Sequence, residues 1–206
     1  MSRVPFVLAV TDRGRPADAA FERWCSALAE AGVDGLQVRE KALDDRQRLA
    51  LARAARAHFP PPRLLLVNGR IDVALAAGAD GVQLPTAGLP AGELRRTFGP
   101  GPVIGVSTHS IAEIDRAAAE GAADFALFGP LHATPAKRGV LEPRGLDGLR
   151  AACGRGLPVI AVGGIDAGTA GAAITAGAAG VAAIRACADA SAARELVAAA
   201  REAREA

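Results

Sequence analysis

The sequence predicts an α/β fold, a single (β/α)8 TIM barrel over residues 1–206. Three observations predict it. Short apolar runs alternate with Ala-, Leu- and Arg-rich stretches along the whole chain, and that alternation builds a parallel sheet. One glycine-centred phrase recurs with small changes about every two strand–helix units. Eight units within 206 residues fit a barrel of minimal size. A doubly wound open sheet is the alternative. It normally carries a glycine-rich fingerprint after its first strand, which Thr11-Asp12-Arg13-Gly14 does not match.

Taken in order, strands are expected at residues 6–10, 35–38, 64–67, 81–84, 103–106, 124–128, 159–162 and 180–184. They are continuous apolar runs, as parallel strands covered on both faces should be. The stretches between them are helical in character. Phe21, Trp24 and Leu28 stand at i, i+3 and i+7 and share one helical face. Ser110-Ile111-Ala112-Glu113 has capping-box spacing and starts a helix. Asp166 is a candidate cap for a later one. The recurring phrase reads Ala31-Gly32-Val33-Asp34-Gly35, Ala77-Gly78-Ala79-Asp80-Gly81, Glu120-Gly121-Ala122-Ala123-Asp124 and Ala176-Gly177-Ala178-Ala179-Gly180. Each copy closes a helix on glycine, which takes a left-handed turn at low steric cost, and enters a strand.

Lys and Arg number 24 against 22 Asp and Glu, a formal charge of +2, and 50% of residues are hydrophobic. This composition argues against a disordered chain. Without a basic tract, it also argues against a nucleic-acid partner. Cys25, Cys153 and Cys187 have neither metal-ligand nor redox spacing, so a reduced, cytoplasmic setting is expected. The apolar run at 6–10 is too short for a signal peptide. Residues 167–184 are uncharged and long enough to raise the membrane question. They are mostly Ala and Gly, and read as a helix followed by a buried strand, with no membrane partner.

Function in such a barrel sits at the carboxyl ends of the strands, and those ends are polar here. Gln37, Arg39 and Lys41 alternate at the second strand end, an amide and two cations suited to an anionic substrate. Asn68 and Arg70 follow the third strand, and Ser107 and His109 the fifth. The sixth is followed by a long segment, residues 129–139, which contains His132, Thr134, Lys137 and Arg138. Long loops of this kind are often lids or binding loops. His132 has the right chemistry to take and return a proton near neutral pH. His109 and His58 are expected to be structural and solvent-facing, respectively. Gly163-Gly164-Ile165-Asp166 joins a strand to a helix, and its bare backbone N–H groups suit a phosphate. Ile184 and Arg185 complete the set at the eighth strand end.

Thr11-Asp12-Arg13, Gln37-Val38-Arg39-Glu40-Lys41, Gly81-Val82-Gln83-Leu84, Gly105-Val106-Ser107-Thr108-His109-Ser110, Phe128-Gly129-Pro130 and Ala161-Val162-Gly163-Gly164-Ile165 occur in this order. Together they resemble the thiamine phosphate synthase / TenI superfamily over nearly the whole chain. The resemblance implies a (β/α)8 barrel that binds thiazole phosphate in thiamine biosynthesis, as a homodimer.

Two branches follow from it. A synthase joins hydroxymethylpyrimidine pyrophosphate to thiazole phosphate. It holds the pyrophosphate through Mg²⁺ on carboxylates that follow its third and fourth strands. Gly69 and Ala87 stand at those places here. The resemblance therefore points to the TenI branch, a thiazole tautomerase. Such an isomerase moves a proton on a carboxythiazole phosphate and needs no cofactor or metal. Gly163 and Gly164 would hold phosphate, Arg39 with Lys41 or Lys137 the carboxylate, and His132 would shuttle the proton. The tautomerase histidine directly follows Phe-Gly, a place taken here by Pro130, with His132 two residues on. Synthase activity, with Mg²⁺, is the alternative. A non-catalytic binder of thiazole or thiamine phosphate is the third reading.

Overall fold

A computed structural model describes residues 4–12, 17–133 and 141–206. The eight strands are β1 (Val7–Val10), β2 (Gly35–Val38), β3 (Leu64–Asn68), β4 (Gly81–Leu84), β5 (Val103–Thr108), β6 (Phe125–Phe128), β7 (Val159–Val162) and β8 (Gly180–Ala183). They close into a barrel in sequence order, and every neighbouring pair is parallel. Helices α1 (Ala19–Glu30), α2 (Asp45–His58), α3 (Ile71–Ala76), α4 (Ala91–Phe98), α5 (Ile111–Glu120), α6 (Gly145–Cys153), α7 (Ala167–Thr175) and α8 (Ala190–Glu205) follow their strands in turn. This is the (β/α)8 barrel expected. Residues 167–184 form α7 and β8, and among the described residues no helix is long and apolar enough to cross a membrane.

Strand alternation divides the apolar residues into two cores. Leu8, Val10, Leu64, Leu66, Val103, Phe125, Leu127, Ile160 and Ala182 fill the inside of the barrel. Leu36, Val38, Val67, Val82 and Ile104 point outward, into the layer shared with Phe21, Leu28, Leu51, Leu149 and Leu196 of the helices. Burying each such side chain contributes about 1.5–3 kcal/mol. Trp24 sits beside Phe21 with ring centroids 5.6 Å apart. Its indole N–H donates to the Cys187 carbonyl at 2.8 Å, which ties α1 to the end of the chain's last strand unit.

The recurring phrase has a second role at the amino end of the barrel. Its glycines Gly32, Gly78, Gly121 and Gly177 all have positive φ, between 63° and 103°. Its aspartates bind the neighbouring strand. Asp34 accepts from Val7 N at 2.9 Å, Asp80 from Leu65 N at 2.7 Å, and Asp124 from Ile104 N at 2.7 Å. Asp80 and Asp124 also pair with Arg56 and Arg95 at 2.7 and 2.9 Å. Asp124 therefore precedes β6 instead of starting it, because its side chain is turned to β5. Burial raises the Asp34 carboxyl above its ordinary value, against the lowering by the amides of Val7 and Phe6.

Both expected caps are made, one of them with a change of detail. Asp166 caps α7 and completes a capping box with Thr169. Ser110 caps α5 through Glu113 N at 3.3 Å, but the Glu113 carboxylate turns back to His109 N. The reciprocal half of the box is thus made one residue early. Strand β8 ends at Ala183, one residue before the expected end. Ile184 takes helical dihedrals and leads into a single 3-10 turn, Arg185–Cys187.

Candidate active site at the barrel mouth

The alternation that packs the core also sets the floor of the mouth. Gln37 and Gln83 fall between the outward pairs Leu36/Val38 and Val82/Leu84, so both amides enter the barrel. They are 2% and 0% exposed. Gln37 Nε2 donates to Asn68 Oδ1 at 3.1 Å, and Gln83 Nε2 donates to Ser107 Oγ at 3.1 Å. Thr86 Oγ1 donates to the Ser107 carbonyl at 3.1 Å. Strands β2 to β5 thus contribute a continuous polar row. Across from it, Val10, Leu127, Val162 and Ile184 give an apolar wall from β1, β6, β7 and the end of β8.

The expected trio at the second strand end divides. Gln37 is buried in the floor. Strand geometry stops at Val38. Arg39 N donates to Thr11 Oγ1 at 2.8 Å, and its guanidinium pairs with Asp12. Lys41 lies on an exposed turn. Asn68 ends β3 at the mouth and is joined to Gln37. Arg70 turns away to Asp45 and Asp72, the latter at 2.6 Å. Hydrogen bonding to Arg70 lowers the Asp72 carboxyl to about 2.

His132 and the Gly163-Gly164 turn meet. Leu131 N donates to Val162 O at 2.9 Å, and His132 N to Gly163 O at 3.0 Å. A Cβ on Gly164 would lie 2.6 Å from that of His132, and one on Gly163 2.7 Å from Pro130 Cα. Both glycines also have positive φ. They are therefore required by the close approach of the sixth-strand loop, whatever they bind. His132 Nε2 is buried and has no hydrogen-bond partner among the described residues. His109 bridges to the Gly129 carbonyl, as a structural histidine should. Arg185 is exposed on the turn after β8, and Ile184 packs against the barrel interior. Thr134 and Lys137 lie outside the described residues, as does Arg138.

Gln83 is the floor residue that reading for candidate sites missed. A signal was present. Gly35-Leu36-Gln37-Val38 and Gly81-Val82-Gln83-Leu84 are copies of one strand pattern with glutamine at the same inward place.

A divalent cation needs oxygen ligands, several of them anionic. Among the described residues no three His, Cys, Asp or Glu side chains come together. Gly69 and Ala87 offer no side-chain oxygen, and the nearby Asp12, Asp45 and Asp72 are held by Arg39 and Arg70. These residues do not fit a Mg²⁺ site of the kind the synthase resemblance implies.

A parallel eight-stranded barrel with a polar floor and a glycine turn after β7 defines a protein of the (β/α)8 class with its candidate site at the carboxyl ends of the strands. Comparison with known proteins narrows the class. Residues 7–187 match the family model for thiamine monophosphate synthase. A putative thiamine-phosphate synthase of Geobacter sulfurreducens is 45% identical over 172 residues, 80% of this chain and 78% of that protein. The thiamine-phosphate synthase of Methanoculleus marisnigri is 46% identical over 143 residues, 68% of this chain and 66% of that one. A solved thiamine phosphate pyrophosphorylase from Pyrococcus furiosus superposes with a TM-score of 0.83 at 30% identity, covering 98% of both chains. The chain belongs to the thiamine monophosphate synthase family.

These relatives overturn the tautomerase expectation, and with it the assignment as an isomerase. That expectation leaned on Gly69 and Ala87. In the structure Gly69 has φ +69°, and its N–H donates to the Gln83 carbonyl at 2.9 Å. It supplies a left-handed turn from β3 into α3 at low steric cost. The missing carboxylate there is not a sign of proton-transfer chemistry.

Proposed function

We propose that this chain is a transferase that joins hydroxymethylpyrimidine pyrophosphate to thiazole phosphate, forming thiamine phosphate. The carbon–oxygen bond to the pyrophosphate breaks, and a carbon–nitrogen bond to the thiazole forms. Pyrophosphate leaves with the bonding electron pair. The observation that carries this reading is the 45–46% identity to proteins named thiamine-phosphate synthase.

The site supports it in three ways. The polar floor offers amide and hydroxyl groups to the edge of a heteroaromatic ring, while the facing apolar wall suits its faces. The Gly163-Gly164 turn before α7 can present backbone N–H groups to the thiazole phosphate. Arg39 and the exposed Lys41 can stabilise charge on the departing pyrophosphate. Alkylation of the ring nitrogen releases no proton, so this reaction gives His132 no acid–base step.

The test is to incubate the protein with both substrates, with Mg²⁺ and with EDTA. Thiamine phosphate and pyrophosphate should form in equal amounts. No product in either condition would sink the proposal. A binding-only role is the second reading, favoured by Gly69 and Ala87 in place of carboxylates. It expects thiamine phosphate to bind without any turnover.

A further inference from the structure

The floor holds two amides in an unusual state. Gln37 Oε1 and Gln83 Oε1 are both buried, and neither accepts a hydrogen bond from a described residue. A buried acceptor without a donor is disfavoured, so its presence in a core asks for a reason. Core packing alone does not supply one, since leucine or methionine would fill the same space without a polar atom. The neighbourhood is arranged around the Gln83 amide. Any side chain on Gly105 would collide with Gln83 Oε1 and with the Phe125 ring. Strand β5 therefore lacks a side chain where β4 carries Gln83. The opposite end of the amide, Nε2, reaches Ser107 Oγ.

A serine hydroxyl has one donor and two acceptor positions. When Oγ accepts from Gln83 Nε2, its own hydrogen is directed elsewhere. Ser107 is half-buried at the top of β5, so that hydrogen is available to the mouth. The same device occurs one repeat earlier. Gln37 Nε2 occupies Asn68 Oδ1 and leaves the Asn68 NH₂ free to donate elsewhere. Two copies of one strand pattern thus turn two neighbours into donors. This duplication is independent of the buried acceptors.

We infer that Gln83 is a positioning residue. It donates to Ser107 Oγ and so orients the Ser107 hydroxyl as a donor toward an acceptor atom on the ring of the ligand. Gln83 touches no ligand itself. The choice of ligand rests on the proposed function.

A double-mutant cycle tests this, with thiamine phosphate as the probe and its Kd measured by calorimetry. Gln83→Met keeps the volume and removes the donor. Ser107→Ala removes the group it orients. Each single variant should weaken binding roughly tenfold. In the Ser107→Ala background, Gln83→Met should weaken it by no more than about twofold further. Thermal midpoints are measured in parallel. If Gln83→Met does not fold, Gln83→Leu replaces it in the cycle, because it too lacks a donor and leaves the buried place apolar. Equal losses in both backgrounds, or no loss in either, would overturn the inference and leave the proposed function standing. A wild type that neither binds thiamine phosphate nor makes it would overturn the proposed function, and this inference with it.

Discussion

The two halves of the barrel floor obey one packing rule and end in opposite chemistry. From β2 to β5 the inward positions near the mouth are Gln37, Asn68, Gln83 and Ser107. From β6 round to β1 they are Leu127, Val162, Ile184 and Val10. The apolar half is explained by burial alone. The polar half is not, because buried amides cost stability unless every polar atom is paired. The difference teaches where to look for function: in the half whose side chains the fold does not require.

The comparison can be broken first from its apolar side. Leu127→Ala should destabilise the barrel by about 2–5 kcal/mol through the cavity it leaves. Urea unfolding would measure this. A loss well below that range would mean the wall is not packed as a core. Next comes the meeting of the sixth and seventh loops. Gly164→Ala introduces a Cβ that would lie 2.6 Å from His132 Cβ at a φ of +70°. It should cost about 1–3 kcal/mol and weaken inorganic phosphate binding. Unchanged stability would show that the two loops do not press on each other.

The polar half should respond in the opposite manner. Gln37→Leu removes the bond to Asn68 and should lower kcat/KM about 10- to 100-fold. Its unfolding free energy should stay within about 1 kcal/mol of wild type, since a buried amide is exchanged for an apolar chain. Equal damage to stability and to turnover would erase the contrast between the halves. The smallest effect lies outside the floor. The Asp72 carboxyl is held near 2 by Arg70, below its ordinary 3.8. A lowered acid contributes stability at pH above about 4 and loses it as pH falls toward 2. Carboxyl-carbon NMR should show the Asp72 midpoint moving up in Arg70→Ala. A midpoint unmoved by that substitution would show that the pairing is not made in solution.

Much of the fold was legible because period and punctuation agreed. The strands at 35–38, 81–84 and 159–162 have the bounds expected, and the four phrase glycines close helices as their spacing suggested. The phrase aspartates were not legible in their role. Nothing local says that Asp34 reaches Val7, 27 residues earlier. Gln83 was hidden for another reason. A glutamine inside an apolar run points in or out according to parity, and only comparison with the copy around Gln37 gives that parity from sequence. Gly163 and Gly164 suit a phosphate by composition, yet the close packing of Pro130 and His132 already demands them. The branch of the family is not legible from Gly69 and Ala87, because two missing carboxylates weigh less than likeness along most of the chain.

The most direct test of the account is one comparison of product formation. Wild type and Gln37→Leu are given hydroxymethylpyrimidine pyrophosphate and thiazole phosphate, and thiamine phosphate and pyrophosphate are followed together. Wild type should give equal amounts of both products, and the equally stable variant a rate at least about tenfold lower. No product from wild type, or the same rate from both proteins, would contradict it.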